Sequence, residues 1–188
     1  MGSTLEYFFK SILAILMAGM LFSCQNDIEE IKAITEESDL PVQIVKNGTF
    51  HYTEESRLMN TLIATELRRF EGEVPRIEVS GGFKMLIYDT LEQVDAVLTA
   101  EEGTFYDKQH QLEARNNVVL LNTKGDSLRT EELFWLQDSN KIYTKKFVEI
   151  YTEDGTIFSQ GLETDSHFKK YRLTQVTGDI LVEEPEKE

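Results

Sequence analysis

The chain has 188 residues, which is enough for one domain of ordinary size and a short terminal segment. Its formal net charge of -15 excludes nucleic acid as a partner, because binding a polyanion requires a basic surface that releases counterions. The same charge gives no Coulomb attraction to anionic headgroups, so an anionic lipid would have to be bound mainly through its acyl chains.

The N-terminal segment predicts export and membrane attachment. The uncharged, mostly apolar run Ser11–Ser23 is too short to cross a bilayer comfortably, and Leu21–Cys24 resembles a bacterial lipobox. Residues 1–23 are therefore predicted to be a lipoprotein signal peptide, and Cys24 is predicted to be lipid-modified. An uncleaved signal-anchor helix is the alternative. Both place the rest of the chain outside the cytoplasm and tethered to a membrane.

The rest of the chain divides into three parts. Residues 24–41 are acidic and predict a solvated tether, and residues 183–188 predict a disordered tail. Residues 42–182 contain short β-branched and aromatic runs that predict an all-β domain. These runs are separated by expected turn residues, namely Asn47–Gly48, Gly81–Gly82, Lys124–Asp126, Asp138–Asn140 and Asp154–Gly155.

A weak internal repeat supports a sheet built from similar units. Ala100–Tyr106 and Thr130–Trp135 have related sequences that start 30 residues apart, and Leu112 and Ile142 keep the same offset. Each unit reads as a strand pair that buries its apolar face only by stacking on its neighbours. Such a stack predicts an elongated roll whose terminal strands expose unpaired backbone groups.

An ordered series of segments resembles the LptC family of lipopolysaccharide export proteins. The resemblance covers roughly residues 47–179 and is carried by Gly82–Asp89, Leu98–Gly103, Leu112–Asn122, Leu128–Trp135, Lys141–Thr144, Gly155–Gly161 and Asp165–Phe168. It implies a β-jellyroll open along one side, with an apolar interior for acyl chains and no catalytic residues. It also favours a strand for Ser56–Phe70, whose leucine spacing alone is compatible with an amphipathic helix.

The sequence contains no motif that predicts an enzyme. Phosphate-binding loops, Gly-x-Ser-x-Gly and His-Glu-x-x-His are absent, and His51, His110 and His167 lie far apart. Adjacent acidic pairs such as Glu101–Glu102 and Glu131–Glu132 point to opposite faces of a strand, so they cannot converge on one bond. We therefore expect no catalytic residue, no metal and no cofactor.

Apolar residues that alternate along the strands are the candidate ligand-binding set. Under the family resemblance they are expected to face an interior that holds lipopolysaccharide acyl chains, although a one-residue shift in register would reverse the choice for a strand such as Val118–Leu121. The predicted lining residues are Phe83, Met85, Ile87, Phe105, Leu112, Val118, Leu120, Leu133, Trp135, Ile142, Val148, Ile150 and Phe158. Alternation alone does not exclude a plain, closed β-sandwich core, and without the family resemblance it favours that core.

The resemblance implies a transport function at the periplasmic face of the inner membrane. The protein would receive lipopolysaccharide from the subunits of an inner-membrane ABC transporter and pass it to a periplasmic bridge protein of the same fold. Energy would come from the partner ATPase, because this sequence has no nucleotide motif. The alternative function is a structural or carbohydrate-binding surface lipoprotein with a closed β-sandwich, for which Trp135 is the only indole platform.

The lipobox interpretation predicts that Cys24→Ser blocks processing of the signal peptide and abolishes incorporation of radiolabelled palmitate. The reason is that the cysteine thiol is the group to which the lipid is attached. Electrophoretic mobility and palmitate labelling in cells measure both effects. Normal processing of the variant, or a native chain of full precursor mass, would replace this interpretation by the signal-anchor helix.

Overall fold

A computed structural model describes residues 40–177, so the predicted signal peptide, Cys24, most of the tether and the tail lie outside the described residues. Within this part the chain is an antiparallel all-β domain, as predicted. Residues 40–177 form no helix with the length and apolar character that crossing a membrane requires.

Eleven strands and a 3-10 turn at Asp107–Gln109 make up the described domain. The strands are β1 (Gln43–Glu54), β2 (Arg57–Phe70), β3 (Arg76–Tyr88), β4 (Val94–Ala100), β5 (Glu102–Tyr106), β6 (Gln111–Asn122), β7 (Ser127–Leu136), β8 (Lys141–Thr152), β9 (Gly155–Asp165), β10 (Tyr171–Leu173) and β11 (Val176–Thr177). The strand expected at Ser56–Phe70 is confirmed as β2. The predicted repeat is also visible, because β6 and β8 begin 30 residues apart, at Gln111 and Lys141.

The strands form one sheet that follows the chain almost in order. Its order is β1-β2-β3-β4-β6-β7-β8-β9-β10, with β5 paired to β3 and β6, and β11 paired to β9. All of the pairs are antiparallel. Among the described strands, β1 and β10 have one neighbour each, so the sheet ends in two edges.

The long strands are interrupted at the same level across the sheet, along what we call the bend line. On β2 and β3 the register shifts between Ala64 and Glu66, and on β6 and β7 it shifts between Arg115 and Val118. Several residues of the bend line have a positive φ, a conformation that glycine and asparagine tolerate best. They are Asn47, Gly81, Gly82, Asn116, Asn117 and Gly161.

Two of the expected turns are therefore not turns. Asn47–Gly48 lies inside β1, and Gly81–Gly82 lies inside β3. Gly81–Gly82 is a bulge on the bend line, where β3 has one residue more than β2 and positive φ values bend the strand without reversing the chain. Asn47 also has a positive φ on this line, but β1 and β2 keep the same register on both sides of it. A two-residue motif of this kind does not distinguish a hairpin from a bulge, because both need the same backbone conformation.

The bend line folds the sheet into two layers whose apolar faces meet. The first layer contains the strand halves that lead to the turns at residues 89–93, 123–126 and 153–154, and the second contains the halves that lead to residues 71–75, 107–110 and 137–140. Side chains of both layers form one buried core cluster. The free strand ends of the two layers border a mouth opposite the bend line, which gives the roll an open long side.

Candidate functional site

An open apolar groove lies between the layers in the N-terminal half of the roll. It has a volume of about 270 Å³. Leu62 and Met85 of the first layer face Leu67 and Val79 of the second across it. The full lining comprises Gln43, Phe50, His51, Tyr52, Asn60, Leu62, Leu67, Arg69, Ile77, Val79, Phe83, Met85, Gly103, Phe105, Leu112 and Gln137.

A more polar hollow of about 500 Å³ adjoins the groove at the mouth. The two cavities share Tyr52, Asn60 and Gln137 as lining residues. In the hollow, His110 Nδ1 lies 2.7 Å from Asp138 Oδ1, and both side chains are exposed. The groove therefore opens to solvent through the hollow, whose wall carries hydroxyl, amide, imidazole and carboxylate groups.

Six of the thirteen predicted lining residues border these two cavities. Phe83, Met85, Phe105 and Leu112 line the groove, and Ile87 and Trp135 line the hollow. All six contribute to the buried core or pack against it. These six positions therefore border accessible cavities of the interior, and their binding of a ligand stays a prediction.

The C-terminal half of the roll is closed in this structure. Six further predicted residues face inward there and have 0% exposed surface, namely Val118, Leu120, Leu133, Ile142, Val148 and Ile150. Their inward direction agrees with the predicted parity of Val118 and Leu120. The next residue along the strand, Leu121, is exposed on the outer face. A ligand reaches these six side chains only if this half opens.

The expected inward direction of Phe158 is wrong. Its cross-strand partner is Glu149, and its ring stacks on the exposed ring of Phe147 with centroids 6.0 Å apart, so it lies on the outer face. The inward position belongs to Ile157, which pairs with Ile150 and packs against the core. Adjacent apolar residues leave the parity of a strand open, because either of them can face the core.

A segment that we call the strap, Ser166–Lys170, follows β9 and closes the mouth over the C-terminal half. Its central residue Phe168 is 1% exposed and stacks on Tyr171 with ring centroids 5.4 Å apart. Asn122 Nδ2, at the end of the first layer, donates a hydrogen bond of 3.0 Å to the Phe168 carbonyl oxygen. The strap therefore connects the end of the second layer to the end of the first.

The strap is fastened to the first layer by an ion cluster around Asp95. The Asp95 side chain is 9% exposed, and its Oδ2 accepts a hydrogen bond from Lys169 Nζ and lies 3.0 Å from His167 Nδ1. Burial raises the pKa of the Asp95 carboxyl, but Lys169 and His167, with a hydrogen bond from Thr123, outweigh burial and hold that pKa below its ordinary value. The Lys169 pKa is raised in turn, chiefly by its hydrogen bond to Asp95.

Sequence reasoning missed the part of the groove on β1 and β2 and the role of the strap. Leu62 and Leu67 were visible only as a helix-like spacing, and Phe50 carried no signal of its own. Asp95 and Lys169 are 74 residues apart, so no local pattern joins them. Within residues 40–177 no three His, Cys, Asp or Glu side chains converge as a metal site.

Comparison with known protein families gives one match. The family model described as "Lipopolysaccharide-assembly, LptC-related" matches residues 11–180 of this chain. No curated protein matches the sequence.

The ion cluster predicts a pH-dependent contribution of Asp95 to stability. A carboxyl whose pKa is lower in the folded state stabilises the fold at every pH above its unfolded-state pKa. This contribution is lost as the pH falls through the folded-state pKa. Asp95→Asn should therefore lower the free energy of unfolding by about 1 kcal/mol at neutral pH and by much less near pH 2. Denaturant unfolding followed by circular dichroism at the two pH values measures the difference.

The matched control is Glu163→Gln, which removes the exposed ion pair with Lys141 in the same half of the roll. Its loss of stability at neutral pH should be smaller, because both partners are largely in water. An Asp95→Asn variant that is equally destabilised at both pH values would contradict the assigned role of the cluster.

Proposed function

The chain belongs to the LptC-related family of lipopolysaccharide assembly, and from this premise we propose that its open groove holds the acyl chains of lipopolysaccharide during transport. Membership gives the chain a role in lipopolysaccharide transport and places it with transport components, and the family is not one of enzymes. The family is periplasmic and linked to the inner membrane. The ligand position, the partners and the anchor are the parts that we propose.

The observation that carries the proposal is the apolar lining of a groove that opens to solvent. Leu62, Phe83 and Phe105 present hydrocarbon surface to a cavity that water would otherwise fill. Each methylene group of a chain placed there would contribute roughly 0.8 kcal/mol. The described residues 40–177 carry 22 acidic against 16 basic side chains, so hydrocarbon contact and not charge attraction would dominate the affinity.

The hollow at the mouth suits the polar part of the same molecule. An amphipathic lipid whose chains lie in the groove brings its sugars to the mouth, where hydroxyl, amide and imidazole groups line the wall. This arrangement keeps polar groups in contact with water and leaves the buried charges of the domain undisturbed. The closed-sandwich alternative requires a dry interior, and the groove in the N-terminal half argues against it.

We propose that the two edges of the sheet carry the partners. The β1 edge would meet the transporter and the β10 edge would meet the bridge protein by strand addition. Thr174 N donates to Gly161 O at 3.3 Å, while Leu173 is opposite Leu162. In an antiparallel ladder this pattern marks a non-hydrogen-bonded pair, so the Leu173 N–H points away from β9 and is available to a partner strand. Attachment to the inner membrane would come from the lipid on Cys24 or from an N-terminal helix.

Photocrosslinking in living cells tests the groove. A photoreactive residue at Leu62 should form adducts with lipopolysaccharide, whereas the same residue at Ile63 should not, because neighbouring positions on a strand face opposite sides. Ile63 is an apolar side chain that is 42% exposed on the outer face, so the pair separates groove binding from general hydrophobic contact. Immunoblotting for lipopolysaccharide gives the readout, and equal labelling at both positions, or none at either, would reject the groove.

Co-purification with each partner tests the β10 edge. Leu173→Pro removes an outward N–H without breaking a bond to β9, so we expect loss of bridge-protein binding, with the fold and transporter association retained. The matched variant is Arg172→Pro, which removes a donor that faces β9 and should weaken the β9–β10 ladder itself. Retained bridge binding by a Leu173→Pro protein with native circular dichroism would exclude this edge.

A further inference from the structure

The strap separates the open half of the roll from the closed half. Ser166 and His167 of the strap line the hollow at the mouth, so the accessible space ends at this segment. Beyond it, the inward side chains of Leu120, Ile142 and Ile150 have 0% exposed surface. We propose that the strap is a displaceable plug, and that the Phe168 ring occupies a position that a hydrocarbon chain takes when the groove extends into the C-terminal half. This inference rests on the proposed acyl-chain function.

The backbone of Phe168 is the first observation that points to a plug. Its φ is 52°, in the left-handed region that a bulky side chain rarely adopts. A residue is held in such a conformation only when its surroundings over-determine it. Here the surroundings are the stacked ring of Tyr171, the hydrogen bond from Asn122 and the buried cluster that receives the phenyl ring. If the Phe168 ring left this site, its backbone could return to a φ that bulky residues prefer. The closed strap therefore holds Phe168 in a conformation that its own backbone disfavours.

The chemistry of the fastening is the second observation. The strap is held mainly by polar contacts. Lys169 and His167 contact Asp95, and the Thr164 hydroxyl donates a hydrogen bond of 2.9 Å to the Lys170 carbonyl oxygen. Water can replace such contacts on opening, since Lys169 is half exposed. Hydrocarbon contact is lost only at Phe168, and an acyl chain that takes its place restores that contact.

The third observation is the continuity of the interior on either side of the strap. Phe168 belongs to one buried cluster with Met85 and Ile87 of the open half and with Leu120, Ile142 and Ile150 of the closed half. The closed half carries apolar side chains on both layers, as the open half does. A chain that enters from the groove would therefore meet an unbroken hydrocarbon path towards the β10 edge once Phe168 has moved.

The test uses the full chain in lipid nanodiscs with hexadecanoic acid that carries a diazirine. After irradiation, mass spectrometry locates the labelled residues in the native chain, in Asp95→Asn and in the control Glu163→Gln. The native and control chains should be labelled at Phe83 and Phe105. In Asp95→Asn, labelling at Leu120 and Ile150 should rise roughly fivefold, as expected for the loss of one partly buried ion pair.

The exposed residue Leu121 provides an internal reference, because it lies beside Leu120 on the outer face. A rise at Leu120 without a rise at Leu121 supports the plug, whereas an equal rise at both means general unfolding and overturns it. Unchanged labelling of the closed half, with the groove still labelled, overturns the plug and leaves the proposed function intact. An absence of labelling in every chain overturns both. If circular dichroism shows that Asp95→Asn does not fold, Lys169→Gln loosens the same fastening from the surface and decides the matter.

Discussion

The interior of this protein depends on the alignment of bulges along the bend line. A sheet with one apolar face remains exposed to water on that face unless a second layer covers it. Here the second layer is the same sheet, because the long strands bend at the same level and their halves face each other. The groove and the mouth follow from that common level.

The bend line also explains which parts of the structure could be predicted from the sequence. The all-β class, the strand repeat and the inward direction of Val118 and Leu120 follow from local composition and alternation. On β2, however, the bend between Ala64 and Glu66, where its register with β3 shifts, brings Leu62 and Leu67 to the same groove although they are five positions apart. An odd separation breaks the period of two and imitates helical spacing. The adjacent pair Ile157 and Phe158 gives no parity at all, and the sequence reading chose the wrong member.

The charge of the protein is distributed unevenly between the domain and its flanking segments. Residues 40–177 account for a net charge of -6 out of -15, and the remainder lies in the acidic segments on either side. Within the domain the buried carboxylate of Asp95 pairs with Lys169 and lies 3.0 Å from His167 Nδ1. The interior therefore combines low polarity with locally balanced charge at its border, which is compatible with an amphipathic ligand whose polar part stays in water. Sequence patterns do not reveal the contact between Asp95 and Lys169, because these residues are distant along the chain.

Because the roll is built from 30-residue repeats, the length of its interior changes by one repeat unit at a time. The units that begin with β6 and β8 each add two strands, and neighbouring strands are about 4.8 Å apart, so one unit corresponds to roughly 10 Å of roll. Duplication or deletion of one unit would lengthen or shorten the enclosed path by that increment. Both terminal edges and the bend line would be preserved, because each unit carries its own bulges. Evolution could in this way match the reach of the domain to the width of a cellular compartment without redesigning either end.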